Sequence, residues 1–153
     1  MAVTNGIRID GLDELRQTLD ELAPREAFNL MRGVTLGVAR EVRKRAAAAA
    51  PVGDGTLKRA IKAKRGNPRE NAGKPFADVY IETGKGAPND AFYWRFIEYG
   101  TKAHGNHPGI RETHFMRSAI EAVRPQIDGI MREQFGKKLE ALLKRKAKKQ
   151  ANG

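Results

Sequence analysis

The sequence predicts an α+β domain on three observations. Apolar residues recur at helical spacing over residues 10–22, over 25–50 and again from 113 onward. Two short stretches, 61–65 and 76–83, instead alternate apolar and polar side chains with the period of a strand. The length, 153 residues with 40% hydrophobic and 31% charged side chains, suits one soluble domain with a sizeable core.

The first helix puts Leu12, Leu15, Leu19 and Leu22 on one stripe, with Asp13 and Glu14 in its first turn, where the helix dipole favours acidic groups. Pro24 divides it from a longer helix over 25–50, whose buried stripe is Ala27, Met31, Val34, Val38 and Val42. That helix ends in an alanine run before Pro51, which breaks the hydrogen-bond ladder and disfavours helix at Ala50. Gly33 and Gly37 are four apart and share a face where another helix packs closely. The turn cluster of residues 51–55 follows, and Thr56 then caps a short helical turn through Leu57 and Ala60.

The strand over 61–65 sets Ile61 and Ala63 against its lysines; the one over 76–83 sets Val79 and Ile81 against Asp78, Tyr80 and Glu82. Residues 66–75 and 83–90 are polar loops, the second lacking the spacing of a phosphate-binding loop. Five of the ten aromatic residues then fall between Phe92 and Tyr99, a density that predicts burial in the core or under a neighbouring subunit. Periodicity alone leaves helix and strand open there. Asp90 as N-cap and Gly100 as stop favour a short helix joining Phe92, Phe96 and Tyr99. After a loop over 100–113, helical spacing resumes at Phe115 and runs past Leu142. Pro125 interrupts it, at about 3 kcal/mol against a straight helix, so a kink or two abutting helices are expected.

Net charge is +11 and uneven: +1 over residues 1–50, +3 over 51–90 and +7 over 91–153. Lys137–Lys149 alone holds seven basic residues against Glu140, so 137–153 is set apart as a basic helix end or tail from a single domain over 1–136. The absence of cysteine removes disulfides, thiolate catalysis and cysteine-ligated zinc. Met1–Gly6 lacks the pattern of a signal peptide, and no apolar run reaches the length of a membrane span, so no membrane partner is expected.

No catalytic, metal or cofactor site is assigned. His104, His107 and His114, flanked by Glu98 and Glu112, are the nearest thing to a metal set, but they sit on a loop with Gly100, Gly105 and Gly109 that offers little preorganisation. Ser118 is the sole serine and stands in no nucleophile setting. The basic runs at Lys58–Arg65 and Lys137–Lys149 would neutralise phosphates, but the aromatics lie apart from them, so base stacking is not suggested.

Five motifs in order resemble the HK-ninety-seven gp-ten-like family of tail-component and neck proteins of long-tailed bacteriophages. They are Gly11-Leu12-Asp13-Glu14-Leu15, Ala50-Pro51-Val52, Asp54 to Ile61, Glu98-Tyr99-Gly100-Thr101, and His114-Phe115-Met116-Arg117-Ser118-Ala119. Asp54, Ala60, His114 and Ser118 depart from the family's threonine, serine and two prolines. The resemblance implies long helices packed on a small antiparallel sheet in a structural subunit of the head–tail connector, in the neck, tail-completion or tail-terminator region. It implies a homo-oligomeric ring, commonly of six, around the DNA channel, with neighbouring connector and tail-tube proteins as partners; the basic runs themselves leave open non-specific contact with DNA in the channel or contact with an acidic neighbour. The protein would sit in the virion after assembly in the host cytoplasm, without enzymatic activity.

On this reading the loops are contact elements: Asn67 and Arg69 in one, and Gly100, Thr101, Lys102, His104, His107 and Arg111 in the other. Trp94, Glu98, Tyr99, Phe115 and Arg117 would buttress the longer loop, Glu98 and Arg117 as an ion pair contributing ~0–1 kcal/mol. A basic DNA-binding accessory protein is the alternative, and a metal-dependent nuclease a distant third.

Overall fold

Proline brackets the element on which the rest is hung. Pro24 stands in the first turn of a 26-residue helix, where its missing N–H costs no intrahelical bond, and Pro51 follows the helix end. The computed structural model describes residues 12–153, and in it this helix, α2 (Pro24–Ala49), touches most of the other elements. α1 (Leu12–Asp20) precedes it. After it come α3 (Thr56–Ala60), β1 (Ile61–Arg65), β2 (Ala77–Ile81), α4 (Trp94–Tyr99), α5 (Phe115–Val123) and α6 (Ile127–Ala151). This is the expected α+β arrangement. The predicted helix start at Asp10 and Gly11, and the reading of Met1–Gly6, lie outside the described residues.

The strands pair antiparallel, with Ile61 opposite Ile81, Ala63 opposite Val79 and Arg65 opposite Ala77. Alternation then turns Ile61, Ala63, Val79 and Ile81 to one face, against α2, and Lys64 and Tyr80 to the other. There the Lys64 ammonium lies 4.8 Å from the centre of the Tyr80 ring. Arg43 Nε donates to the Ile61 carbonyl at 2.9 Å and ties helix to sheet. The capping of α3 differs from expectation. Thr56 is its first residue, not its cap, and donates its N–H to the Asp54 carboxylate at 2.9 Å. That bond holds the Asp54 carboxyl below its usual 3.8.

Burial falls into two clusters, both built on α2. One gathers Ala46 and Ala50 with Leu57, Ile61, Ala91 and Phe115, joining the end of α2 to the sheet and to α5. The other gathers Leu30, Val34 and Phe135, with Leu19, Leu139 and Leu142 against them. Of the predicted α2 stripe Val34 is fully buried and the other members half-buried, because the sheet and α6 also bury Ala39 and Gly33. Gly33 and Gly37 do mark close packing: a Cβ on Gly37 would stand 2.6 Å from the Gln134 side chain of α6. Pro125 breaks the C-terminal helix as its chemistry requires, leaving a 3₁₀ turn, Arg124–Gln126, between α5 and α6. The sequence boundary at 136/137 falls inside α6, which stays helical to Ala151.

Candidate assembly interface

α4 carries the aromatic run, and its periodicity is the one expected with the faces exchanged. Trp94 and Ile97 turn inward, with Tyr93 just ahead of the helix, and pack beside Ala91 and Phe115. Phe92, Phe96 and Tyr99, spaced four and three apart, turn outward with 68%, 49% and 64% of their surface exposed. Of the two kinds of burial expected for the aromatics, burial in the core therefore holds for the inner side alone. A helix of six residues has only one side to bury, and the eight residues from Phe92 to Tyr99 cannot all share it. Asp90 also departs from its expected role: its carboxylate accepts the Gly84 N–H at 2.9 Å and braces the preceding loop, while Tyr93 precedes α4 without a side-chain cap.

Beyond α4 the long loop is a β-hairpin. Thr101 and Ile110 exchange backbone bonds of 2.8 and 3.2 Å, and His104 and His107 exchange two of 3.0 Å around Gly105-Asn106 at the tip. Gly100 and Gly109 make it possible. Both hold positive φ, 73° and 82°, and a Cβ on Gly109 would stand 2.5 Å from the Thr101 carbonyl oxygen. The hairpin's return is stitched to α4: the Thr113 N–H and hydroxyl both reach the Ile97 carbonyl, and the His114 N–H reaches that of Glu98.

Glu98 is the brace beneath. It is 3% exposed, and its carboxylate accepts the N–H groups of Met116 and Arg117 at 2.9 and 3.1 Å. Those are orphan donors of the first turn of α5, whose own N-terminal neighbour, His114, has φ 48° and supplies no side-chain cap. The expected Glu98–Arg117 ion pair is thus corrected. Glu98 bonds the Arg117 backbone, and the Arg117 guanidinium sits 3.4 Å from Glu121.

Of the other sequence-predicted site residues, Thr101, Lys102, His104, His107 and Arg111 are exposed along the hairpin, Gly100 stands at its root and Phe115 is buried below. Asn67 and Arg69 lie apart, in an exposed 3₁₀ turn that Asn67 opens by accepting the Arg69 N–H at 3.2 Å. The histidines do not converge: His104 and His107 meet through backbone, and His114 Nε2 lies 3.5 Å from Glu112. Among the described residues no group of three or more histidine, aspartate or glutamate side chains could hold a metal, and no helix is long and apolar enough to cross a membrane.

Sequence reasoning missed Phe92, Phe96 and Ile120 as surface residues. Ile120 is half exposed and lines, with Trp94, Tyr99 and Met116, an open groove of about 720 Å³ between α4 and α5. A second, more apolar groove of about 450 Å³ shares Met116 and Ile120 and continues past Val38, Val79 and Met131.

Fold and surface together define a small α+β protein hung on one helix, with a braced hairpin beside an exposed aromatic stripe. A family model described as "Bacteriophage HK97-gp10, putative tail-component" matches residues 13–100, more than half of the chain, and the chain belongs to that family of phage tail components. The match stops at the hairpin root, so the motif His114–Ala119 lies beyond it. No curated protein and no solved structure matches the chain.

Proposed function

We propose that this tail component is a subunit of an oligomeric ring in the head–tail connector region, joining head to tail around the DNA channel and acting by geometry, not catalysis. The observation that carries the reading is the outward stripe of Phe92, Phe96 and Tyr99 beside the hairpin of residues 101–110. Large apolar groups exposed in a row are a cost to an isolated chain and a gain at an interface, where aromatics are enriched. The hairpin projects from a root held by Gly100, Glu98 and Thr113, so little ordering entropy opposes its docking on an adjacent subunit. Neighbouring copies, and the adjoining connector and tail-tube proteins, are the partners this implies, with the virion as the site of action.

Mass photometry and negative-stain imaging of the purified chain, alone and mixed with its neighbouring connector and tail proteins, test the reading. Rings, formed alone or on a partner, are expected. A strict monomer in every mixture overturns it, and a monomer that binds duplex DNA tightly with steep salt dependence would favour the accessory DNA-binding role instead.

A further inference from the structure

Two basic runs far apart in sequence meet at one cleft. Arg65 ends β1, Lys138 and Arg145 project from α6, and all three line a cleft of about 360 Å³ bounded by α2. Leu30 and Gly33 of α2 form part of its wall, and the aliphatic stem of Lys138 crosses Gly33, with Cε 3.2 Å from where a Cβ would stand. The carboxylate in the lining, Glu26, is held 2.7 Å from Lys146. Among the described residues Arg65, Lys138 and Arg145 make no ion pair, and the one carboxylate of the lining is already matched by Lys146 from outside it, so the three cations stand without a partner of their own.

Three cations held together without a paired carboxylate repel one another, and a bound anion relieves that repulsion. The pattern continues along the helix. Lys138, Arg145 and Lys149 are spaced seven and four apart, so they share one side of α6 at steps of about 10 and 6 Å. A row of cations suits a polyanion better than a single small ion. No aromatic side chain lines the cleft, so contact would be with phosphate and without base readout.

We propose that this cleft grips the phosphodiester backbone of duplex DNA irrespective of sequence, with Arg65, Lys138 and Arg145 as the contacting residues. The biological setting, DNA threading a connector, rests on the ring reading; the charge and shape of the cleft do not.

The test is fluorescence anisotropy of a short labelled duplex, in two unrelated sequences, titrated with the full chain between about 50 and 200 mM salt. Three phosphate contacts give a slope of log affinity against log salt of about −2.7, a fall of about 40-fold across that range. The triple variant Arg65→Gln, Lys138→Gln, Arg145→Gln should lose that slope, while the charge-matched triple Lys44→Gln, Lys74→Gln, Lys85→Gln, at exposed positions outside both basic runs, should keep it. Arg145→Glu alone, at an exposed position, should weaken binding more than Arg145→Gln and covers the case in which the cleft triple misfolds. Equal loss in the two triples, or no effect of Arg145→Glu, overturns the proposal. Mass photometry of the same proteins keeps the two readings apart: rings that form normally and bind no duplex defeat the cleft and leave the ring standing.

Discussion

Glu98 shows how one side chain can join three elements. It belongs to α4, caps α5 through two backbone N–H groups, and through its carbonyl receives the end of the hairpin. Hydrogen bonds to a charged acceptor contribute about 1.5–3 kcal/mol, and stranding buried donors costs about as much again per group. Glu98→Ala should therefore destabilise the chain by about 3 kcal/mol in urea unfolding, and Glu98→Gln, which keeps one acceptor in place, by about 1 kcal/mol. Equal losses in the two variants would mean that packing, not capping, is what Glu98 supplies. The sequence names Glu98 as a buttress of the loop but not the groups it holds. The donors lie 18 and 19 residues downstream, and they are backbone groups, which carry no residue code. Only the pairing of Glu98 with the Arg117 position could be read, and it was attached to the wrong atoms.

At the scale of elements, legibility depended on whether the deciding force was local. The limits of α2, the break at Pro125 and the two strands follow from proline chemistry and short-range alternation, and the structure has them close to where those forces put them. The aromatic helix was legible as a helix and not as a surface. Periodicity says which residues share a face, and it is silent on which face looks inward when both are apolar. The hairpin was hidden for another reason. Its ladder is two isolated bridges long, too short to leave an alternating pattern, and the glycines that allow it resemble those of any loop. Because the hairpin contributes nothing to either buried cluster, breaking it should separate assembly from stability. Gly109→Val forces a branched side chain into positive φ and onto the Thr101 carbonyl. The ring proposed above should then fail to form while the melting temperature moves by only a few degrees; calorimetry and mass photometry on one sample check both. Phe96→Ser should behave alike, a surface change within about 0.5 kcal/mol of the parent. Intact rings in both variants would show that this face is not the contact.

At the scale of the whole molecule, the charge is organised by the fold and not by the chain. Lys58–Arg65 and Lys137–Lys149 read as separate basic runs, and only the packing of α6 along α2, over Gly33 and Gly37, brings members of the two together. The same packing has a dynamic consequence. α2 passes through two clusters that share no buried side chain, with the apolar groove of about 450 Å³ lying between Met116 on one side and Met131 on the other. A core divided in this way should unfold as two cooperative units, since opening one exposes little of the other. Native-state hydrogen exchange should find the amides of α6 and of the first half of α2 opening together, ahead of β1, β2 and α5. Phe135→Ala, which empties the centre of the first unit at about 3–5 kcal/mol, should speed exchange there and leave the sheet protected. One common exchange rate for both units would show that α2 couples them rigidly. If they are separate, the chain has a hinge in its energy landscape though none in its backbone: the half bearing the hairpin stays folded while the half bearing the long basic helix loosens and re-forms.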